Sequence, residues 1–370
     1  MNEPVRVLVV DDSALMRKLI PQILQSDSSI QVVGTAMDGI FGLKKIEELR
    51  PQVVTVDLEM PGMGGIDMLK EIMRRHQIPV IVVSSHSHEG ASVTMKALSL
   101  GAFDFVAKPV DVSARMPEIA QELIGKIKAA AQSRGIRVET AARTRSAVTK
   151  LAWDQGIPAS RVVAIGISTG GPQALQYLLP QLPADFPSSI LIVQHMPEGF
   201  TDMFARRLDE ICAIRVKEAQ SGDQLLAGRA LVCPGNRHLK VKRLPLSDVV
   251  VLSDEPKVNG HRPSADVLFR SVAEEFGNKS IALIMTGMGD DGAEGLGAIK
   301  KAGGVTVAQS EDSCVVYGMP KAAIERGYAT RVVNLDAMGN TLIAQCMTDR
   351  KTDPAQVTGV LGAAAGGKRS

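Results

Sequence analysis

Short β-branched runs recur along this chain, each followed by polar or small residues and then a helical pattern. Val5–Val10, Val53–Val56, Pro79–Val83 and Asp104–Ala107 are of this kind, with Gln31–Thr35 as a fifth. After a gap the pattern resumes at 161–167, 189–194, 229–233, 248–252, 280–285 and 304–308. Strands alternating with helices call for βαβ units, a parallel sheet and right-handed crossovers that place helices on both faces. The fold class expected is therefore α/β, with two doubly wound parallel-sheet domains. The domains read as 1–125 and 161–350, joined by a linker at 126–160 and followed by a tail at 351–370. The linker scatters Lys126, Lys128, Arg134, Arg137, Arg143, Arg145 and Lys150 among Ala, Ser, Thr and Gln; the tail is Ala/Gly-rich and is expected to be disordered. Within the second domain, Leu239–Arg243 and Val249–Ser253 flank a turn and predict a hairpin. Ser13–Leu24 reads as a helix with Leu15, Met16, Leu19, Ile20, Ile23 and Leu24 on its buried side. Pro21 inside it predicts a kink or an early end, because proline removes a backbone donor.

Composition removes several classes of function. A net charge of +2 and only one Trp, three Tyr and eight Phe argue against a nucleic-acid binder, which needs a basic surface and stacking rings. The four cysteines, Cys212, Cys233, Cys314 and Cys346, are far apart, so neither a zinc knuckle nor a disulfide framework is indicated. No apolar stretch approaches the roughly 18 residues that a membrane span needs. A cytoplasmic protein with reduced thiols and no direct membrane insertion is expected.

Chemistry gathers at the strand ends. In open parallel sheets the carboxyl ends of the strands share one edge, where ligands bind. Asp11, Asp12 and Asp57 each follow an apolar strand. Three carboxylates on one edge repel one another unless a hard cation sits among them, and oxygen ligands suit Mg²⁺. Ser84 and Lys108 end the next two strands, adding a hydroxyl and an ammonium. A cation, an ammonium and a hydroxyl around one carboxylate suit phosphoryl transfer, with Asp57 as nucleophile. A lone strand-end aspartate is more often a helix cap, but successive units with matched residues weaken that reading.

The second domain opens on Gly166-Ile167-Ser168-Thr169-Gly170, a serine on a tight strand-to-helix turn. A bare hydroxyl is a poor nucleophile without a base. Among the histidines (His76, His86, His88, His195, His238 and His261), His195 directly follows the run Ile190–Gln194. His238 is a second candidate, and His261 lies in a loop. A carboxylate is needed to hold the imidazole, and Thr286-Gly287-Met288-Gly289-Asp290-Asp291-Gly292 supplies two; spacing does not choose between Asp290 and Asp291. The order Ser…His…Asp excludes the α/β-hydrolases, which run Ser…Asp…His.

Two family resemblances follow from these residues. Val9-Val10-Asp11-Asp12-Ser13, Asp57-Leu58-Glu59-Met60-Pro61, Val83-Ser84-Ser85 and Lys108-Pro109 resemble the response-regulator receiver domain, with its flavodoxin-like fold. The resemblance implies phosphorylation at Asp57 and a Mg²⁺ site from Asp11, Asp12, Asp57 and the Glu59 backbone carbonyl. It also makes Ser84, Phe105 and Lys108 the switch residues, and Gly64 stands where the family often has Asp. The stretch 166–172, together with Gln194-His195-Met196, Pro234-Gly235, Arg262-Pro263-Ser264 and 286–292, resembles the catalytic domain of the CheB family of chemotaxis protein-glutamate methylesterases, a Rossmann-like three-layer domain. That resemblance implies a triad of Ser168, His195 and Asp291, with Asp290 a departure from the usual Asn, and oxyanion donors on the backbone of Thr169 and Met288. Its expected function is a phosphorylation-regulated hydrolase that demethylates glutamate methyl esters on methyl-accepting chemotaxis receptors and deamidates receptor glutamines. A chemotaxis histidine kinase would be the phosphodonor. The rival expectation is a non-catalytic output module that binds receptors.

Overall fold

The computed structural model describes residues 3–85, 87–108, 112–133 and 156–347. The first unit is a five-stranded parallel sheet in the order β2-β1-β3-β4-β5. Its strands are β1 (Val5–Val10), β2 (Ile30–Ala36), β3 (Val53–Asp57), β4 (Val80–Ser84) and β5 (Asp104–Ala107). Helices α1 (Ala14–Gln25), α2 (Gly39–Leu49), α3 (Gly65–Arg75), α4 (His88–Ser99) and α5 (Val112–Gln132) connect and cover them. Central strands β3 and β4 are buried at every position, which is why they read as mostly apolar runs, broken inside only by Thr55, rather than alternating ones. Strand order reverses between β1 and β3, so Asp11 and Asp57 face each other across that switch point.

The second unit is a seven-stranded parallel sheet, β14-β13-β12-β6-β7-β9-β8. It comprises β6 (Val162–Ile167), β7 (Ser189–Gln194), β8 (Arg215–Glu218), β9 (Arg229–Val232), β12 (Ser280–Ile284), β13 (Val305–Gln309) and β14 (Arg331–Val333). The expected hairpin is present as antiparallel β10 (His238–Arg243) and β11 (Asp248–Ser253). Helices α6 (Gly171–Leu178), α7 (Phe200–Ile211), α8 (Ala265–Phe276), α9 (Ala293–Lys301), α10 (Met319–Glu325) and α11 (Leu335–Met347) complete the unit. The chain runs outward from β6 in both directions, so β7, β6 and β12 bring their carboxyl ends together at the sheet's centre.

Several local expectations change. Strands β8 and β14 were not legible: both are edge strands, short and half exposed, and their sequences carry too little apolar pattern. Helix α1 runs through Pro21 to Gln25 without ending early. Its buried residues are Ile20 and Leu24, whereas Leu15 is 56% exposed. Helix α5 continues to Gln132, past the boundary expected at 125. The tail at 351–370 and linker residues 134–155 lie outside the described residues.

The two units pack on each other. One apolar cluster runs from Val56, Leu69, Met95 and Phe105 of the first to Ile192, Phe200 and Phe204 of the second. The Phe105 ring stacks on Phe200 at 4.8 Å between centroids. The Gln173 amide of α6 donates to the Ala102 and Phe103 carbonyls, the latter at 3.0 Å. On α5, Gly125 lies so close to Met288 that an added Cβ would come within 2.6 Å of its Cε.

Candidate active site

Ser168 leaves the buried strand β6 and is held by its backbone N–H, which donates to the Thr286 carbonyl at 3.0 Å. Gly170, with φ of 76°, takes the left-handed turn that α6 then follows. Gly287 lets the β12 loop reach the serine: a Cβ there would sit 2.8 Å from the Ser168 Cβ. The Thr286 hydroxyl donates to the Thr169 carbonyl at 2.9 Å, tying the two loops.

His195 sits one register step past Gln194, whose Cα partner on β6 is Ile167. Its backbone N–H donates to the Ile167 carbonyl at 3.1 Å, so the serine and histidine emerge from neighbouring strands side by side. The imidazole is 9% exposed and donates through Nε2 to Asp291 Oδ2 at 2.8 Å. That bond assigns the proton to Nε2 and leaves Nδ1 as the basic atom; Nδ1 is buried and has no hydrogen-bond partner. Ser168 makes no side-chain hydrogen bond to it among the described residues, a looseness common in unliganded serine enzymes.

Asp291 is the best-served carboxylate of this site. Oδ1 accepts from Ser264 Oγ at 2.6 Å, and Oδ2 accepts from the Ala265 N–H at 2.7 Å, at the start of α8. Burial opposes its charge, but the bonds from His195, Ser264 and Ala265 outweigh that and hold the carboxyl down at about 2. Asp290, by contrast, is exposed and pairs with Arg326 Nη2 at 2.6 Å. Of the two aspartates that spacing left open, Asp291 is the one in contact with His195. His238 is buried on β10, and its Nε2 lies 3.0 Å from the Pro256 carbonyl. The backbone N–H groups of Thr169 and Met288 both lie on loops beside Ser168, and neither donates to another group among the described residues.

At the other sheet edge, Asp11, Asp12 and Asp57 place carboxylate oxygens within 4.8 Å of one another. Lys108 Nζ lies 2.6 Å from Asp57 Oδ2 and 3.1 Å from Asp11 Oδ2. Burial opposes the Lys108 charge, but its contacts with Asp57 and Asp11 prevail and raise its pKa. Burial raises the Asp57 pKa despite the Lys108 bond. The Glu59 N–H donates to Asp57 Oδ1 at 3.1 Å. Ser84 is turned away: its hydroxyl donates to the Gly90 carbonyl at 3.2 Å and accepts from Thr94 Oγ1 at 2.6 Å.

Comparison with known proteins accounts for both edges. Residues 163–342 match the CheB methylesterase family and residues 7–121 the response regulator receiver domain. A protein-glutamate methylesterase/protein-glutamine glutaminase 2 of Koribacter versatilis is 63% identical over 354 residues, 94% of this chain and 98% of that protein. The chain belongs to the CheB methylesterase family. A Pyrococcus horikoshii protein-glutamate methylesterase/protein-glutamine glutaminase is 44% identical, covering 93% of this chain and 94% of its own. The crystal structure of the Thermotoga maritima CheB methylesterase catalytic domain aligns with 50% of this chain and 99% of its own, at a TM-score of 0.50 and 41% identity.

Sequence reasoning missed two members of this CheB site. Gln194 is buried, and its Nε2 donates to both the Ser168 carbonyl at 3.0 Å and the His195 carbonyl at 3.2 Å. Its place in the stretch Gln194-His195-Met196, one of those that carry the family resemblance, was the available signal, but it gave no role. His261, read as a loop residue, lies flat against His195 with ring centroids 3.9 Å apart. Ser264 stood in a quoted motif, but its bond to Asp291 depends on a fold that brings residues 264 and 291 together.

Proposed function

We propose that this chain hydrolyses γ-glutamyl methyl esters on chemoreceptors, and deamidates receptor glutamines, under control of phosphorylation at Asp57. The observation that carries the catalytic half is the His195–Asp291 bond at the strand end next to Ser168. Ser168 Oγ attacks the ester carbonyl and passes its proton to His195 Nδ1, the imidazole nitrogen that Asp291 does not occupy. The carbonyl oxygen becomes an oxyanion facing the Thr169 and Met288 N–H groups, each worth roughly 3–4 kcal/mol of barrier. The tetrahedral centre collapses, and methanol departs with the proton from His195. Water then attacks the acyl-serine with the same base, restoring Ser168 and releasing glutamate. A glutamine side chain follows the same path with ammonia as the leaving group.

The regulatory half rests on the receiver's carboxylate edge and on what its far side touches. Asp57 accepts a phosphoryl group from a chemotaxis histidine kinase, and Lys108 balances the added negative charge. Asp11, Asp12 and Asp57 offer hard oxygens in one cluster, a donor set that fits Mg²⁺, with the Glu59 carbonyl as a further ligand. When bound, the ion supplies charge neutralisation of the phosphoryl oxygens. Phe105 on Phe200, Gln173 on the 102–103 carbonyls and α5 beside Met288 form a cover that the unphosphorylated receiver holds over the serine edge. Such an enzyme works in the cytoplasm on receptor helices; among the described residues no helix is long and apolar enough to cross a membrane. The test is methanol release from methylated receptors with and without a small-molecule phosphodonor. No release in either condition, from folded protein, would end this reading.

A further inference from the structure

His261 is placed with more care than a loop residue requires. Val258 and His261 exchange backbone hydrogen bonds, at 3.0 and 2.9 Å, around a two-residue turn. Asn259 and Gly260 fill that turn with φ of 52° and 77°, the left-handed pair that the tightest hairpin turn demands. The Asn259 amide donates to Asp266 Oδ2 at 2.8 Å and reaches Asp291 Oδ1 at 3.3 Å. Ser264 and Ala265, just beyond, grip the same Asp291 carboxylate. One short segment therefore anchors the triad acid and also lays the His261 ring against the triad base, 7° from parallel.

We propose that His261 is a positioning residue of the esterase: an uncharged aromatic plate that fixes the plane of His195 and faces its imidazolium when the Ser168 proton arrives. This rests on the triad reading above. Burial, aided by the neighbouring His195, pushes the His261 pKa down to about 4, so the plate is neutral at working pH. Asp291 and Glu122, the latter on α5 of the receiver, face it with negative charge, and Lys257 with positive. A neutral ring against an imidazolium is an attractive pairing, whereas a second charge there would repel. The stack leaves the edge of His195 free, with Nε2 bonded to Asp291 and Nδ1 without a partner.

The full chain, activated by phosphodonor, is assayed for methanol release as His261→Ala and His261→Phe, with folding checked by circular dichroism. His261→Ala should lower kcat by roughly tenfold to a hundredfold, the usual effect of a misplaced catalytic group, with KM within about twofold. The acid limb of its kcat/KM profile should move to lower pH as the imidazolium loses its plate. His261→Phe should recover most of kcat and return the limb. A folded His261→Ala enzyme with parental kcat overturns the proposal, as does a His261→Phe enzyme as slow as the alanine form. Ser168→Ala run alongside separates the two levels. If it retains activity the triad itself fails; if it is dead while His261→Ala is normal, only the plate fails.

Discussion

At the receiver's sheet edge the proposed reactive atom is a carboxylate oxygen, and an ammonium already sits on it, Lys108 at 2.6 Å from Asp57. At the esterase's edge the proposed reactive atom is a hydroxyl, and on the neighbouring strand end stands an imidazole whose Nδ1 has no partner. Both edges arise from the same architecture, strand ends gathered at the centre of a parallel sheet. The first site sets three carboxylates against one ammonium, and on the proposed reading it is inert until a donor brings a phosphoryl group. On the proposed reading the second carries its own base, and its control comes from access. On that reading the contrast teaches why a catalytic domain and a modifiable cover belong in one chain.

The contrast breaks most sharply at the serine. Ser168→Ala should abolish methanol release, a loss of at least about a thousandfold, while the far-ultraviolet spectrum stays unchanged. The two aspartates should then part company. Asp291→Asn should cost roughly a thousandfold or more in kcat, because the amide cannot hold the Nε2 tautomer or balance the imidazolium. Asp290→Asn loses only an exposed pair with Arg326, so its activity should stay within about twofold and its stability within about 1 kcal/mol. Equal losses in both would show that the acid is misassigned.

Access is the next test. Deleting residues 1–150 should raise basal activity, by about tenfold for each 1.4 kcal/mol of docking energy that held the cover down. Phe200→Ala in the full chain removes one ring of the Phe105 stack and should give a smaller rise. Lower activity in both, with folding intact, would mean that the receiver assembles the site rather than covering it.

The smallest effects lie in pH-dependent stability. The folded carboxyl of Asp291 lies at about 2, below its unfolded value near 3.8, so it stabilises the fold above pH 4 and loses that as pH falls toward 2. The difference corresponds to about 2 kcal/mol, and urea midpoints of Asp291→Asn should lack that acid slope. His261 acts in a higher window: its folded pKa is about 4 against 6.5 unfolded, and the fold favours the neutral ring. Its contribution is complete above pH 6.5 and declines as pH falls to 4, where the unfolded chain gains the proton first. His261→Phe should flatten the midpoint across that interval.

Much of this was legible in one dimension. The strands β1, β3, β4, β6 and β7 are mostly apolar, with Arg6 and Thr55 as exceptions, and each ends on or one residue before a candidate site residue, because buried parallel strands are apolar on both faces. Edge strands β8 and β14 escaped notice because exposure relaxes that pattern. The expected inward face of α1 failed at Leu15, which sits at the helix's exposed first turn, while packing through Ile20 and Leu24 carries the helix past Pro21.

The chain's sequence by itself determined two parallel α/β sheets, their strand-end carboxylates, and the serine, histidine and aspartate pair from which a triad could be drawn. Those are properties of local runs, and local runs are what a sequence displays. Tertiary structure made the contact that the resemblance had implied, Asp291 rather than Asp290 against His195, and alone decided that the bond goes through Nε2. It alone turned Ser84 toward Gly90 and laid His261 and Gln194 against the catalytic groups. Each of these depends on atoms within about 4 Å whose residues lie on different strands and loops, and such proximity is set by sheet register and packing rather than by any run of neighbours.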